Sequence, residues 1–407
     1  MSSSGPPRTG SRNYLSGVES TTLSPDECRA LVPELSTSLN PNVWVYQFTE
    51  SSHGWTLSVA THAEPGSQKL SLGGFRIAPV ERTSAPGFTT DREAIALAIG
   101  MEEKVHWSRV IGVGGPLALR DIKRVVGGKC VLAPTEDARI GHPLDAALLD
   151  FSIAVFKEIE RTAGILLTTG QDLGHGTMHD GHTTSLEYLN ARYHGSVVAD
   201  TSVPTGEGNY RVLDGMLRGV GVPLEQATVA LIGCGHIGMH IVDALRERGS
   251  TILVCESRAE RRRELEALGV RTWGAGEKAA LLREPMDALV LNAAGGSMDM
   301  ATARACAANA RLQVICGSEN LAMPDPAAGP LLLAAQKIYA PTELGGMMGY
   351  LTAVEEYLAK VEGVPFDIHT LLIAARKLDA AGFSAARRVK ERGFRESFEE
   401  AVTAIYA

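Results

Sequence analysis

No apolar run in this chain approaches the roughly 20 residues a helix needs to cross a bilayer, although 44% of its residues are hydrophobic. The reading is of a soluble chain with no membrane partner. A basic excess is lacking too: 39 Lys and Arg stand against 47 Asp and Glu, a net charge of −8. Without a broad positive field, nucleic acid and anionic lipid are excluded as partners, leaving small molecules. Cysteine is sparse and scattered: Cys28, Cys130, Cys234, Cys255, Cys306 and Cys316 form no CxxC pair and have no histidine at ligand spacing. They read as reduced core residues, with no disulfide framework and no metal centre. The opening MSSSGPPRTGSRN carries no apolar signal core. A cytoplasmic protein with a flexible tail over residues 1–20 is expected. No internal repeat is visible.

Against these absences, Ala227 to Glu256, ATVALIGCGHIGMHIVDALRERGSTILVCE, is dense in signal. It reads as strand, glycine turn, helix and second strand with an acidic end. The turn Gly233-Cys234-Gly235-His236-Ile237-Gly238 lets a pyrophosphate approach bare backbone at the positive end of the following helix. Glu256 can accept hydrogen bonds from ribose hydroxyls and would repel the extra phosphate of NADP. NAD is the cofactor expected from this unit, with NADP the second choice because Arg258, Arg261, Arg262 and Arg263 follow closely.

A length of 407 residues suits two domains. Trp44 to Thr49 and Trp55 to Thr61 read as a hairpin, Asp91 to Lys104 as an amphipathic helix ending near Lys104, and Leu144 to Ile159 as another helix. Ala199 to Gly206 has the composition of a hinge, with a helix following to about Arg218. Ala288 to Ala293, Gln313 to Cys316 and Lys337 to Ala340 continue the α/β alternation as buried parallel strands. The expected class is α/β: an N-terminal α/β substrate and oligomerisation domain over 21–205, a doubly wound Rossmann-type domain over 206–345, and C-terminal helices over 346–407 that pack back on the first domain. The basic run Arg387 to Arg395 reads as a solvated helix face.

The upstream domain holds the groups that could bind an anion and move protons. Gly73-Gly74-Phe75-Arg76 forms a turn after Leu70-Ser71-Leu72, Lys104 follows Gly100-Met101-Glu102-Glu103, and Gly127-Gly128-Lys129 sets a lysine on a glycine turn before Cys130 to Ala133. Two ammonium groups invite a carboxylate. Thr169-Gly170-Gln171-Asp172 places an aspartate in a loop, where it could also cap a helix starting after Gly174. His175, His179 and His182 lie close together in the chain, but nothing else in the pattern asks for a metal.

In its order this set resembles the glutamate, leucine, phenylalanine and valine dehydrogenase family, over about residues 40–360. Val203-Pro204-Thr205-Gly206-Glu207-Gly208, Gly317-Ser318-Glu319-Asn320 and Tyr339-Ala340-Pro341 are similar to later signatures of that family. The resemblance implies that Lys104 holds the substrate carboxylate, Lys129 activates water as an imine is hydrolysed, and Asp172 relays protons. It further implies that Gly74, Gly170, Met347 and Tyr350 shape the substrate pocket, and that Thr205 and Asn320 join the glycine turn at the cofactor. The implied reaction is reversible oxidative deamination of an L-amino acid to a 2-oxo acid and ammonia, in a homo-oligomer. Two departures bear on this. Gln171 and Gly170 replace an acid and a small alkyl residue, and Val110 to Val125 lengthens the stretch between the lysines, so that Gly112 to Pro116 is a rival for the catalytic turn. An NAD(P)H-dependent imine reductase or cyclising enzyme, and a non-catalytic nucleotide sensor, remain the alternatives.

Overall fold

The computed structural model describes Leu15 and residues 17–407. Most of the expected tail lies outside the described residues, but Val18–Leu23 is a strand, β1, paired antiparallel with β2 (Trp44–Glu50). The predicted hairpin forms: β2 pairs antiparallel with β3 (Trp55–Thr61) from Trp44 opposite Thr61 to Glu50 opposite Trp55. Beyond β3 lie β6 (Val125–Ala133), β4 (Leu70–Leu72) and β7 (Leu166–Leu167), with β5 (Phe75–Ile77) on the far half of β6. β4 and β5 both run parallel to β6, at Val125–Gly127 and Cys130–Leu132. Gly73 and Gly74 make the step between them.

The second sheet has the order β10-β9-β8-β11-β12-β13, built from β8 (Thr228–Ile232), β9 (Thr251–Cys255), β10 (Arg271–Trp273), β11 (Ala288–Leu291), β12 (Val314–Gly317) and β13 (Ile338–Tyr339). Every pairing in it is parallel. Alternate residues point to opposite faces, so both faces must be apolar and covered. Val229, Leu231, Ile252, Val254, Ala288 and Val290 fill one core, and Ala230, Ile232, Leu253, Cys255, Leu289 and Leu291 the other.

Several glycine signals prove to be close packing inside regular elements. Of the expected hinge, Ala199 to Thr201 are irregular, but the rest from Ser202 to Gly206 opens a helix, Ser202–Val220. Pro204 is tolerated there because first-turn amides have no partner within the helix. A Cβ on Gly206 would meet His240 at 2.8 Å, and one on Gly208 would meet Met348 at 2.5 Å. Gly127 and Gly128 likewise belong to the interior of β6 rather than to a turn. A Cβ on Gly127 would lie 2.3 Å from the Glu102 nitrogen, so the helix that carries Lys104 rests directly on strand backbone.

That helix, Thr90–Ile111, starts at Thr89, whose side chain accepts from the Arg92 amide, and ends at Gly112 with φ +69°. Lys104 therefore sits two turns before its end. The lengthened segment contributes only Val110 and Ile111 to the end of this helix, and then a short helix, Pro116–Asp121. Glu355 accepts from the Leu117 and Ala118 amides at 3.1 and 2.7 Å, pinning the short helix to the helix Thr342–Glu362. Gly112 to Pro116, the rival for the catalytic turn, is thus a junction between two helices. Of the C-terminal helices, Thr342–Glu362 packs on Thr90–Ile111, while Ile368–Glu391 lies along Ser202–Val220, where a Cβ on Gly215 would strike the Asp379 carbonyl at 2.2 Å. Phe398–Tyr406 closes the chain.

Candidate active site

Between the two sheets lies a cavity of about 350 Å³. Among its lining residues are Gly74, Lys104, Lys129, Gly170, Asp172, Thr205, Ile237, Asn320 and Tyr350. Residues drawn from across the sequence therefore converge. Met347 does not: its side chain is fully buried in the core, and Gly346, Gly349 and Ala353 present the cavity-facing side of that helix instead. Helical geometry explains the difference, since residues three and four apart share a face and Met347 lies off the row of 346, 349, 350 and 353. A larger cavity of about 590 Å³ behind the Lys104 helix shares Asn320 but contains neither Lys104 nor Lys129.

Lys129 projects from β6 and is 4% exposed. Its Nζ donates to the Gly73 carbonyl at 2.5 Å and is ion-paired with Asp172. Burial pushes the Lys129 amine below its ordinary range and Arg76 adds to this, while Asp172 opposes it. Burial resists ionisation of Asp172 as well, but Lys129 and Arg76 outweigh it and hold the carboxyl well below the usual range. The capping role for Asp172 is not realised, because the next helix starts only at Ser185. His175, from the histidine group, bridges the Ser185 hydroxyl at 2.9 Å and the Phe75 carbonyl at 2.7 Å.

Lys104 faces the same space from the opposite wall, 5% exposed, and donates to Asn320 Oδ1 at 2.9 Å. Burial lowers its pKa to about 8, with Lys129 contributing and Glu343 opposing. Asn320 follows β12, so this bond crosses from one sheet's territory to the other's. One group escaped the sequence reading. Arg76, 2% exposed, sends Nε and Nη2 to Asp172 at 3.3 and 3.2 Å and Nη1 to Glu93 at 2.7 Å. The available signal was its place beside Gly73-Gly74; the partners, 17 and 96 residues away, could not be seen.

On the nucleotide side, Gly233, with φ +86°, would strike the Asn292 carbonyl at 2.6 Å if it carried a Cβ. Gly235 caps the helix His236–Glu247 with no side-chain bond, and nothing lies within 4 Å of where its Cβ would be. Bare backbone and uncapped amides at the positive end of a twelve-residue helix form a cradle for phosphate. His236 is exposed there and Gly238 is buried where the helix meets the strand. Glu256 ends the next strand, 5% exposed, and accepts from the Cys234 amide at 2.8 Å and the Arg258 amide at 3.0 Å. Burial raises its pKa, but the bonds from Arg258 and Cys234 prevail and lower it. Arg258, 52% exposed, lies against it.

No family model and no curated protein matches the sequence. Solved structures do resemble the fold. The L-tryptophan dehydrogenase of Nostoc punctiforme superposes with a TM-score of 0.58 at 15% identity, covering 89% of this chain and 93% of that one. The hetero-hexameric glutamate dehydrogenase of Thermus thermophilus, in a leucine-bound form, gives 0.60 at 17%, covering 97% and 88%. The glutamate dehydrogenase of Peptoniphilus asaccharolyticus gives 0.57 at 14%, covering 94% and 96%. The chain therefore has the fold of amino-acid dehydrogenases, a mixed sheet joined to a Rossmann-type parallel sheet. Among the described residues, no helix is long and apolar enough to cross a membrane.

Proposed function

We propose that the protein is an NAD-dependent amino-acid dehydrogenase, acting on a monocarboxylic amino acid with an apolar side chain and on the matching 2-oxo acid. The observation that carries this reading is the convergence of Lys104, Lys129 and Asp172 in one cavity beside a nucleotide cradle. Lys104 binds the α-carboxylate by exchanging its bond to Asn320. Lys129, as free amine, takes a proton from the water that adds to the imino acid, and returns it to the departing ammonia. Asp172 relays protons with Lys129. Gly233, Gly235, His236, Ile237 and Gly238 would hold the pyrophosphate, Glu256 the ribose, and Thr205 and Asn320 the nicotinamide end. When bound, NAD supplies the hydride acceptor.

The substrate class follows from counting charge. The cations lining the cavity are Arg76, Lys104 and Lys129. Arg76 is spent on Asp172 and Glu93, and Lys129 on Asp172. Among the described residues Lys104 alone is left for a carboxylate, so a second carboxylate would be desolvated without a partner. The apolar part of the remaining wall is Leu72, Met101, Gly170, Tyr350 and Ala353, opposite polar Gln171, Ser202, Asn292 and Glu319. A Cβ on Gly170 would come no closer than 3.4 Å to Val197 and 3.6 Å to Ala353, ordinary contact distances, so packing does not demand this glycine and its absent side chain leaves a methyl-sized space at the cavity wall. Ammonia-dependent oxidation of NADH with a panel of 2-oxo acids tests the reading. Large apolar acids are expected to turn over, with kcat/KM for 2-oxoglutarate lower by about 10²-fold. Inactivity toward every acid, with NADH binding intact, would transfer the case to imine reduction or cyclisation.

Cofactor choice has its own test. With Glu256 ionised at the ribose position, NADH is expected to bind about tenfold or more tighter than NADPH, because the added phosphate meets a like charge. Glu256→Gln should narrow that gap, leaving Arg258 free to face the phosphate. Fluorescence titration of both nucleotides measures it, and a parent protein that prefers NADPH would sink the assignment.

A further inference from the structure

Arg76 has no place in the proton transfers above, yet it is among the most deeply buried charges of the chain, and its surroundings are built for it. It leaves β5 immediately after the Gly73-Gly74 turn and ends between two carboxylates from distant segments. The guanidinium forks onto both oxygens of Asp172 at 3.2 and 3.3 Å, and its remaining terminal nitrogen reaches Glu93 at 2.7 Å. Glu93 is in turn held by Arg82 at 2.7 Å, and Arg82 is 37% exposed. The result is an alternating row, Lys129, Asp172, Arg76, Glu93, Arg82, running from the cavity to the surface. Planar two-point contact fixes a carboxylate's orientation in a way that a single ammonium cannot.

We propose that Arg76 is the positioning residue for the Lys129–Asp172 pair: it fixes the plane of the Asp172 carboxylate and shares its charge, and so sets how strongly Lys129 holds its proton. The proposal rests on the reading of Lys129 as the proton-handling group of this cavity. The groups that face Lys129 are Asp172 and His175 from the loop, Arg76 from β5, Lys104 from the helix, and Cys130 beside it on β6. Of these, Arg76 is the one cation that also binds the Asp172 carboxylate. Without it, the whole negative charge of Asp172 falls to Lys129, and the ammonium form is favoured. The sign follows: loss of Arg76 moves Lys129 deprotonation to higher pH.

Arg76→Met tests this without stranding either carboxylate, since Asp172 keeps Lys129 and Glu93 keeps Arg82. Arg76→Met with Glu93→Gln serves as a second variant with one buried charge fewer. Trace acetylation of the intact protein with acetic anhydride, followed across pH by mass spectrometry of the Lys129 peptide, reads the proton affinity of that amine directly. In both variants the midpoint is expected to rise by about one pH unit, and the limb of kcat/KM governed by Lys129 to move with it. Arg76→Lys keeps the charge but not the fork; its midpoint should match the parent while kcat falls. A midpoint that stays put in the folded variants overturns the proposal. The labelling result stands apart from turnover: a parent inactive on every 2-oxo acid defeats the functional reading, while the acetylation shift still decides the role of Arg76.

Discussion

Lys129→Ala is expected to lower kcat for reductive amination by about 10³-fold, the range typical of a positioned acid–base group, and to leave NADH binding unchanged. Burial holds the Lys129 amine below the ordinary lysine range, with Asp172 beside it as relay partner. In the proposed mechanism Lys104 is committed to the carboxylate, while Asp172 is held ionised and Arg76 does not titrate in the accessible range. The fold should survive, because Asp172 keeps both bonds to Arg76 after the lysine is gone. Truncation also opens space against the Gly73 carbonyl, which a water can fill and hydrogen-bond. A single-turnover experiment with NADH, ammonia and an accepted 2-oxo acid isolates the chemical step. Turnover within tenfold of the parent would remove Lys129 from the mechanism. Loss of NADH binding along with activity would instead point to a collapsed domain, and circular dichroism would show it.

In the second sheet β8, β9, β11 and β12 were legible because their signal is local, apolar runs of three or four residues each ended by glycine, asparagine or acid, whereas β10 (Arg271–Trp273), with no such run, was not foreseen. The start of the helix Thr90–Ile111 was legible from its periodicity, but its end was not, since it runs on to Ile111 rather than stopping near Lys104. The glycines misled wherever closeness, rather than turning, required them. Gly127 and Gly206 both sit inside regular elements, where a Cβ would strike the Glu102 backbone or the His240 side chain. Composition alone cannot tell a turn glycine from a packing glycine, because the residue that excludes the side chain lies far along the chain. The same distance hid the site's electrostatics. Lys104, Lys129 and Asp172 could be picked out as separate residues, but Arg76, which joins Asp172 to Glu93, was visible only in three dimensions. Met347 failed for a smaller reason: one residue's displacement on a helix turns a side chain by about 100°, enough to move it from cavity to core.

Lys104→Met should raise KM for the 2-oxo acid by about 10²-fold, the cost of leaving a desolvated carboxylate without its partner, with a smaller loss in kcat. The pH dependence separates this from a general loss of packing. In the free enzyme, burial holds the Lys104 pKa at about 8, and only the charged ammonium attracts the carboxylate, which stays ionised over the whole range. Attraction is thus complete below pH 8 and lost as pH rises through that value, so KM should climb about tenfold per unit above it. In Lys104→Met the charge is absent at every pH, and this alkaline limb should vanish. Asn320 gives a further handle. It accepts from Lys104 in the unliganded cavity, so the amine must leave it to meet the substrate, and Asn320→Ala should tighten oxo-acid binding by removing that competitor while weakening NADH. The measurement is KM from initial rates between pH 6 and 10 in parent and variants. A parent KM flat across that window would show that the carboxylate is held elsewhere. The charge count that excludes dicarboxylic substrates would then fail with it, because both arguments assign Lys104, the one cavity cation among the described residues without a carboxylate partner, to the α-carboxylate.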